Sequence, residues 1–485
     1  MTVLSVSIAL LLLPVLCAGE PIHMPITRRS SRVLTAADHF AAGDRARARY
    51  GFPTSASLAA KRMFRRASAA GFAVVNQQAD SSYFSTIQIG TPGQPFDVIL
   101  DTGSSDLFVF GTSCRECGDS APVFDSSKSS SFSQTTSSRP TVINYGSGSV
   151  EGSIGTDTVS MGSFTTSSQD FLVVDEVTAD LVSGTVSGLI GLAFQGLAAT
   201  SAVPFWLALV NNNQLSSPEM AFQLTRSQSE SDEPGGTFTL GGTNSSLFTG
   251  DVEFLSLAGD SSTPAGFWLL SLSAVTVQGQ SVTIPTGDSA LSAIDTGTTA
   301  IGGPTDAVSA IWAAVPGAGP VQGQNGQGFF QFPCSTSVQV TLSFGGKTWP
   351  INSEDMNLGS VEEGSSMCLG AIFDISLGSS SGQPGTPTWV VGDTFLKNVY
   401  SVFRQNPMSV GFAQLASDAG TGSSGGSTSP ASIPGGPPIP SAGSPTDTGT
   451  SPQSQPTDGP NAAHSRVTPT AMMISTLVFI LASVI

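Results

Sequence analysis

Histidine is nearly missing from this chain: its 485 residues include three, at His23, His39 and His464. None falls between residues 40 and 463, so the long middle of the sequence has no imidazole to act as a general base. A Ser-His-Asp or Cys-His nucleophile is therefore excluded there, and the usual zinc ligand is absent with it. Charge is sparse too, at 11% of residues, with 18 Lys and Arg against 35 Asp and Glu. So little positive charge cannot form a phosphate-binding face, which excludes nucleic acid as a partner. No uninterrupted apolar run reaches the roughly 20 residues of a spanning helix. What remains for chemistry is carboxylate, hydroxyl and water. No metal and no organic cofactor is expected.

What is plentiful is glycine, with 54 residues, together with serine and threonine. That composition favours many short strands joined by turns, an all-β reading. Alternating or apolar strand patterns recur at Phe84–Gly90, Phe96–Leu100, Phe171–Val174, Thr237–Gly241, Val275–Val277, Val338–Leu342 and Val410–Ala413. Short helices are expected at Phe205–Val210 and Thr305–Ala314.

Charge is also unevenly placed. Ten of the basic residues precede residue 67, where the only acids are Glu20, Asp38 and Asp44, while residues 67–461 carry a net charge of −25. A basic leader on an acidic body suggests a prosegment docked by electrostatics, the alternative being a merely soluble leader. Before it, the apolar run Val3–Leu16, broken by Pro14 and followed by Cys17-Ala18-Gly19, reads as a signal peptide over 1–19. Residues 20–66 then form a propeptide whose pairs Arg28-Arg29, Lys61-Arg62 and Arg65-Arg66 suit a dibasic-processing protease. Loss of the signal removes Cys17 and leaves four cysteines, which pair most simply as Cys114–Cys117 and Cys334–Cys368. Cys-Arg-Glu-Cys also has the form of a redox or zinc motif, but no helical pattern begins there and no second ligand pair lies nearby.

Asn244-Ser245-Ser246 is an N-glycosylation sequon and implies a surface loop. Residues 417–461 form a Ser/Thr/Pro/Gly tract that cannot build a core and read as a stalk. Asn461-Ala462-Ala463, a polar spacer and the uncharged run Ala471–Ile485 match a lipid-anchor signal, with 462–485 removed and attachment near Asn461. A membrane tail is the competing reading. Either way, the expected location is the extracellular face of the plasma membrane or the cell wall, reached by the secretory pathway.

Two phrases stand out in the body. Asp101-Thr102-Gly103-Ser104-Ser105 and Asp295-Thr296-Gly297-Thr298-Thr299 lie 194 residues apart, each after a short apolar run. Each delivers a carboxylate at the end of a buried strand, on a turn that glycine allows. Two in one chain suggest a duplicated unit bringing two aspartates to one site, and paired carboxylates do general acid–base work. A second echo supports the duplication: Ser187-Gly-Leu-Ile-Gly-Leu-Ala follows the first phrase, and Trp389-Val-Val-Gly-Asp-Thr-Phe-Leu follows the second. Two β lobes are expected, 67–255 and 256–416.

With Ile89-Gly-Thr-Pro-Gly-Gln94, Tyr145-Gly-Ser-Gly-Ser149, Phe267-Trp268 and the Cys334–Cys368 spacing, these phrases resemble the pepsin-like aspartic endopeptidases over roughly residues 80–415. The leader and tail resemble fungal-type, lipid-anchored members of yapsin-like architecture. The resemblance implies a bilobal fold with Asp101 and Asp295 at the floor of a cleft. One ionised carboxylate would activate water while its protonated partner hydrogen-bonds the oxyanion. It further implies that Ser104 and Thr298 hold the outer carboxylate oxygens, and that Tyr145, Gly146 and Ser147 form the tip of a flap closing over substrate. Gly103 and Gly297 would admit substrate backbone, and Ile99, Leu189 and Thr299 would line subsites. Polypeptides are the expected substrates, acid the expected condition, the propeptide the expected inhibitor, and a monomer the expected state.

Two departures are visible: Phe108 stands where the family commonly has tryptophan and cannot donate a hydrogen bond to the flap tyrosine, and the Cys114–Cys117 spacing is tighter than usual, which leaves the shape of that loop open. Arg49-Tyr50 resembles a basic–Tyr pair that lies on the catalytic carboxylates in zymogens, although in so arginine-rich a leader chance is the readier explanation. A catalytically inactive pepsin-fold binding protein is the alternative function. Such copies lose an Asp, a Gly or the flap Tyr, and this chain has all of them. A cation-binding surface is a third reading, but the carboxylates lack calcium-loop spacing.

Overall fold

The computed structural model describes residues 20–28, 35–55, 83–115, 117, 121–135, 139–145, 148–177, 185–226, 233–259, 265–323, 326–379 and 386–417. The signal segment, the dibasic pairs at 61–62 and 65–66, Gly146, Ser147, the stalk beyond Ser417, Asn461 and the apolar tail lie outside them. Arg28 is described and its neighbour Arg29 is not.

The fold is all-β and bilobal, and each lobe is built around the same three-strand device. In the first, Gln94–Asp101 runs into the Asp101 turn and Leu107–Arg115 leaves it. Val186–Gly191 lies between them, parallel to the first strand and antiparallel to the second. In the second, Leu291–Ile294 enters the Asp295 turn, Ile301–Gly303 leaves it, and Trp389–Val391 inserts between them with the same two senses. The Gly-Leu-Ile-Gly and Val-Val-Gly echoes are therefore the inserted strands. Their glycines are needed for close approach: a Cβ on Gly191 would stand 2.4 Å from the Ser105 backbone, and one on Gly392 2.0 Å from the Thr298 carbonyl.

Apolar alternation decides which way these strands face. Val98, Leu100 and Ile190 in one lobe and Ile294, Ile301 and Val391 in the other are essentially without exposure. Each side chain of this size contributes about 1.5–3 kcal/mol by leaving water. The two short helices form as the sequence predicts, at Phe205–Asn211 and Thr305–Ala313. Both cysteine pairs are disulfides, Cys114–Cys117 and Cys334–Cys368.

The lobes share one 14-stranded sheet. Its central part contains Tyr400–Gln405, Glu219–Leu224 and Glu233–Leu240, and the next strand comes from the leader. Ile22–Arg28 pairs with Glu233–Leu240 from Ile22↔Leu240 to Arg28↔Glu233, and with Tyr83–Ile89 through Thr27↔Phe84 and Arg28↔Tyr83. His23 Nδ1 meets Thr239 Oγ1 at 3.0 Å. The leader thus completes the sheet and does more than coat its surface.

A helix, Ala36–Arg49, follows. Thr35 and Asp38 cap it reciprocally, and Arg47 and Arg49 in its last turn complement the helix dipole. Its Gly43 lies against the second lobe, where a Cβ would come within 2.4 Å of the Phe329 ring. Ala36, Ala46, Tyr50 and Phe52 join one apolar cluster with Leu291, Ala293, Ala300, Phe329, Phe373 and Val390. The helix C-terminus is thereby aimed at the Asp295 turn.

Candidate active site

Asp101 and Asp295 are fully buried and face each other across the junction of the lobes. Each turn bonds its own carboxylate in the same way. Gly103 N–H donates to Asp101 Oδ1 at 2.9 Å, and Ser104 Oγ donates to Asp101 Oδ2 at 2.6 Å. Gly297 N–H donates to Asp295 Oδ1 at 2.8 Å, and Thr298 Oγ1 donates to Asp295 Oδ2 at 2.6 Å. The Ser104 and Thr298 hydroxyls thus each hold one oxygen of their own lobe's aspartate.

Between the turns lies a pair of contacts that sequence reasoning missed. Thr102 N–H donates to Thr296 Oγ1 at 3.1 Å, and Thr296 N–H donates to Thr102 Oγ1 at 2.9 Å. Each hydroxyl also donates into the opposite lobe, Thr102 to the Ile294 carbonyl at 2.9 Å and Thr296 to the Leu100 carbonyl at 2.8 Å. The only signal in the sequence was that both phrases have threonine in second place. Gly103 and Gly297 have a further reason to be glycine. A Cβ on Gly103 would stand 2.5 Å from Asp295 Oδ1, and one on Gly297 2.2 Å from Asp101 Oδ1. Each glycine makes room for the other lobe's aspartate.

The leader reaches this centre. Arg49 Nη1 donates to Asp101 Oδ1 and to Asp295 Oδ2, both at 3.1 Å, and Tyr50 Oη donates to Asp295 Oδ2 at 2.8 Å. The Arg-Tyr pair that chance would explain is seated on both carboxylates. Burial pushes Asp101 above the ordinary carboxylate range, with the nearby Asp295 adding to it and Arg49 opposing. Burial acts on Asp295 in the same sense, but Arg49, the Thr298 hydroxyl, the Gly297 N–H and Tyr50 outweigh it and hold Asp295 low. The pair is thus biased towards one protonated and one ionised member.

A hairpin of Thr141–Tyr145 and Gly148–Met161 closes beside the site, with Tyr145 opposite Gly148. Gly148 takes φ 151°, and the intervening Gly146 and Ser147 lie outside the described residues. The Tyr145 ring is 5.7 Å from Phe108. Its hydroxyl is buried and has no hydrogen-bond partner among the described residues, as expected of a phenylalanine neighbour. Leu189 belongs to the same apolar cluster, with Ile99 packed against it, and the two are register partners on adjacent strands. Thr299 is buried beside the second aspartate, its carbonyl accepting from Thr394 N–H at 2.8 Å.

Asn244 is half-buried at a turn whose Ser245 and Ser246 are exposed, and its Oδ1 accepts from Ser246 Oγ at 2.7 Å. Among the described residues, no three His, Cys, Asp or Glu side chains gather as a metal site, and no helix is long and apolar enough to cross a membrane.

The eukaryotic aspartyl protease family model matches residues 82–415. The chain is 44% identical over 349 residues to major aspartyl peptidase 1 of Cryptococcus neoformans var. grubii, covering 69% of each chain. It is 33% identical over 404 residues to an aspartic protease of Phaffia rhodozyma, covering 81% of this chain and 91% of that one. It is 30% identical over 361 residues to human cathepsin D, covering 71% and 83% respectively.

Proposed function

The chain belongs to the eukaryotic aspartyl proteases and is an aspartic endopeptidase; on that premise we propose that it is made as a secreted, acid-active precursor whose leader blocks a two-aspartate centre. The observation that carries this reading is that a single guanidinium nitrogen, Arg49 Nη1, bonds both Asp101 and Asp295 at 3.1 Å. Two buried carboxylates that close to one point share a proton more readily than they ionise together.

Once Arg49 and Tyr50 leave, that point is free for water. The ionised carboxylate takes a proton from the water as it attacks the peptide carbonyl carbon. The protonated one donates a hydrogen bond to the oxygen as it gains charge, and a proton then passes to the departing amine. No acyl-enzyme forms. Arg49 and Tyr50 help hold Asp295 low in the precursor, so that bias leaves with them and the freed dyad titrates as a unit. Tyr145 covers the site from the hairpin side and excludes water.

The remaining architecture is part of the same proposal. A signal peptide over 1–19 directs secretion, and the propeptide 20–66 is released at a dibasic pair. Lobes 67–255 and 256–416 carry catalysis, and a stalk over 417–461 leads to a lipid anchor at Asn461. Asn244 carries a glycan.

The test is hydrolysis of an unfolded protein by the processed enzyme across acid pH, with and without pepstatin and beside Asp101→Asn. Acid activity abolished by both supports the dyad. A folded, processed chain with no activity would make the protein a binding scaffold, and a rate maximum above neutrality would count against the shared proton.

A further inference from the structure

Two residues before Arg49 the leader buries a second arginine, in a pocket built mainly by the body of the protein. The Arg47 side chain has no exposure. Its Nε and Nη2 donate to the Asp374 carbonyl at 3.1 and 2.7 Å, and Nη2 donates to the Gln327 carbonyl at 2.9 Å. Its guanidinium carbon lies 5.3 Å from the centre of the Phe373 ring and 5.7 Å from that of Phe329. Those rings stack on each other at 5.1 Å and 10°. Gly328, at φ +81°, closes the pocket so tightly that a Cβ there would stand 2.4 Å from Arg47 Nη2. The leader's own contributions are Asp44, 2.6 Å from Nη1, and Ser55 Oγ at 3.4 Å.

A guanidinium so deeply buried is tolerated only where its fork of N–H donors is met. Two carbonyl oxygens and two aromatic faces of the body meet it here together with the leader's Asp44 carboxylate, and the body's part of that set suits planar arginine better than a lysine ammonium. Asp374, whose carbonyl accepts from both Nε and Nη2, is held independently of the leader. Asp374 Oδ1 accepts from Ser376 N–H at 2.9 Å and Leu377 N–H at 2.8 Å, and Oδ2 accepts from Thr305 Oγ1 at 2.8 Å.

The pocket also belongs to the wall of the catalytic centre. Phe373 and Asp374 lie on a strand parallel to Ile301–Gly303, which leaves the Asp295 turn. Phe373 shares an apolar cluster with Ala293 and Ala300, on either side of that turn. Arg47 and Arg49 stand two residues apart at the end of one helix, so their side chains leave it in different directions, Arg49 to the dyad and Arg47 to this pocket.

We propose that this pocket persists in the processed enzyme as a subsite for an arginine side chain of the polypeptide substrate, set by Phe329, Phe373 and the carbonyls of Gln327 and Asp374. This rests on the reading of the chain as an endopeptidase with its leader in the substrate cleft. The acidic body, at −25 over residues 67–461, favours approach of such a substrate.

The test uses processed enzyme and a peptide that it cleaves without any basic residue. Arginine, and separately its neutral isostere citrulline, is placed in turn at each of the positions flanking the cut. At one position arginine should exceed citrulline in kcat/KM by about tenfold or more. In Phe373→Leu that ratio should fall towards one, read within the variant so that any general loss of activity cancels. Ratios within twofold at every position in the unmodified enzyme would overturn the proposal, making the pocket an anchor for the leader alone. An undiminished ratio in Phe373→Leu would overturn the assignment to this pocket. Failure to cleave even the parent peptide would instead count against the endopeptidase reading on which the proposal stands.

Discussion

The two halves of the catalytic centre are nearly the same object where they touch the aspartates and quite different one layer out. At the dyad, each lobe offers a glycine N–H, a hydroxyl and a threonine that crosses to the other side. Beyond it, the first lobe contributes a hairpin whose tyrosine hydroxyl has no partner among the described residues, whereas the second contributes an aromatic wall that seats the leader helix. Duplication supplied the acid–base chemistry, which needs two matched carboxylates. Recognition needs unlike surfaces, so there the copies have parted.

The sharpest way to break the matched part is to remove one carboxyl charge at a time. Asp101→Asn and Asp295→Asn should each lower kcat of the processed enzyme by at least about 10³-fold. A steady-state assay that found one variant nearly unimpaired would end the equivalence of the two turns. The next effect concerns the cation joining them. Arg49→Ala leaves two buried carboxylates without it, a loss of about 3 kcal/mol in leader docking. The uncleaved precursor should then bind pepstatin about 10²-fold more tightly, measured by titration calorimetry; unchanged affinity would mean the leader is held elsewhere.

A third prediction sharpens the role of the second lobe. His39 is buried on the leader helix itself, and burial lowers its pKa from 6.5 to about 4, against the pull of Asp38 and with Arg45 and Lys397 adding to the fall. The docked form thus prefers the neutral ring, while a released leader takes up a proton near its ordinary value. Docking strength is full above about 6.5 and declines as pH falls to about 4, by about 3 kcal/mol in all. In His39→Leu that decline should vanish from the pH 6.5–4 window, with release followed by tryptophan fluorescence. What remains should appear lower, as Asp295, held low in the docked state, is protonated.

The smallest effect belongs to the first lobe. Phe108→Trp brings an indole N–H beside the buried Tyr145 hydroxyl, a hydrogen bond of about 1 kcal/mol. KM should fall about fivefold with kcat little changed, and a rise in KM would show that the indole does not fit there.

The strands, both aspartates, Ser104, Thr298 and the Tyr145 hairpin could be read from the chain because each is announced locally, by alternation or by a turn beside a glycine. Thr102 and Thr296 could not, since their bonds exist only where two turns 194 residues apart meet. Ile22–Arg28 gave no sign of being a sheet strand, because its pairing begins with Leu240, far along the sequence. Arg47 was hidden among other arginines, and Arg49, though its pairing with Tyr50 was visible, could not be told there from a chance neighbour. Nothing in composition separates a guanidinium that is solvated from one that fills a pocket.

On the proposed release of the leader, that inserted strand would make activation a ratchet. It is an interior member of the sheet, paired along its length with Glu233–Leu240 and at Thr27 and Arg28 with Tyr83–Ile89, so a cut leader that withdraws leaves the edge of Glu233–Leu240 without its partner. Returning it would mean threading a free peptide into that slot while seating two arginines at once. The precursor and the processed enzyme are then successive states of one molecule, with the direction between them set by chain connectivity.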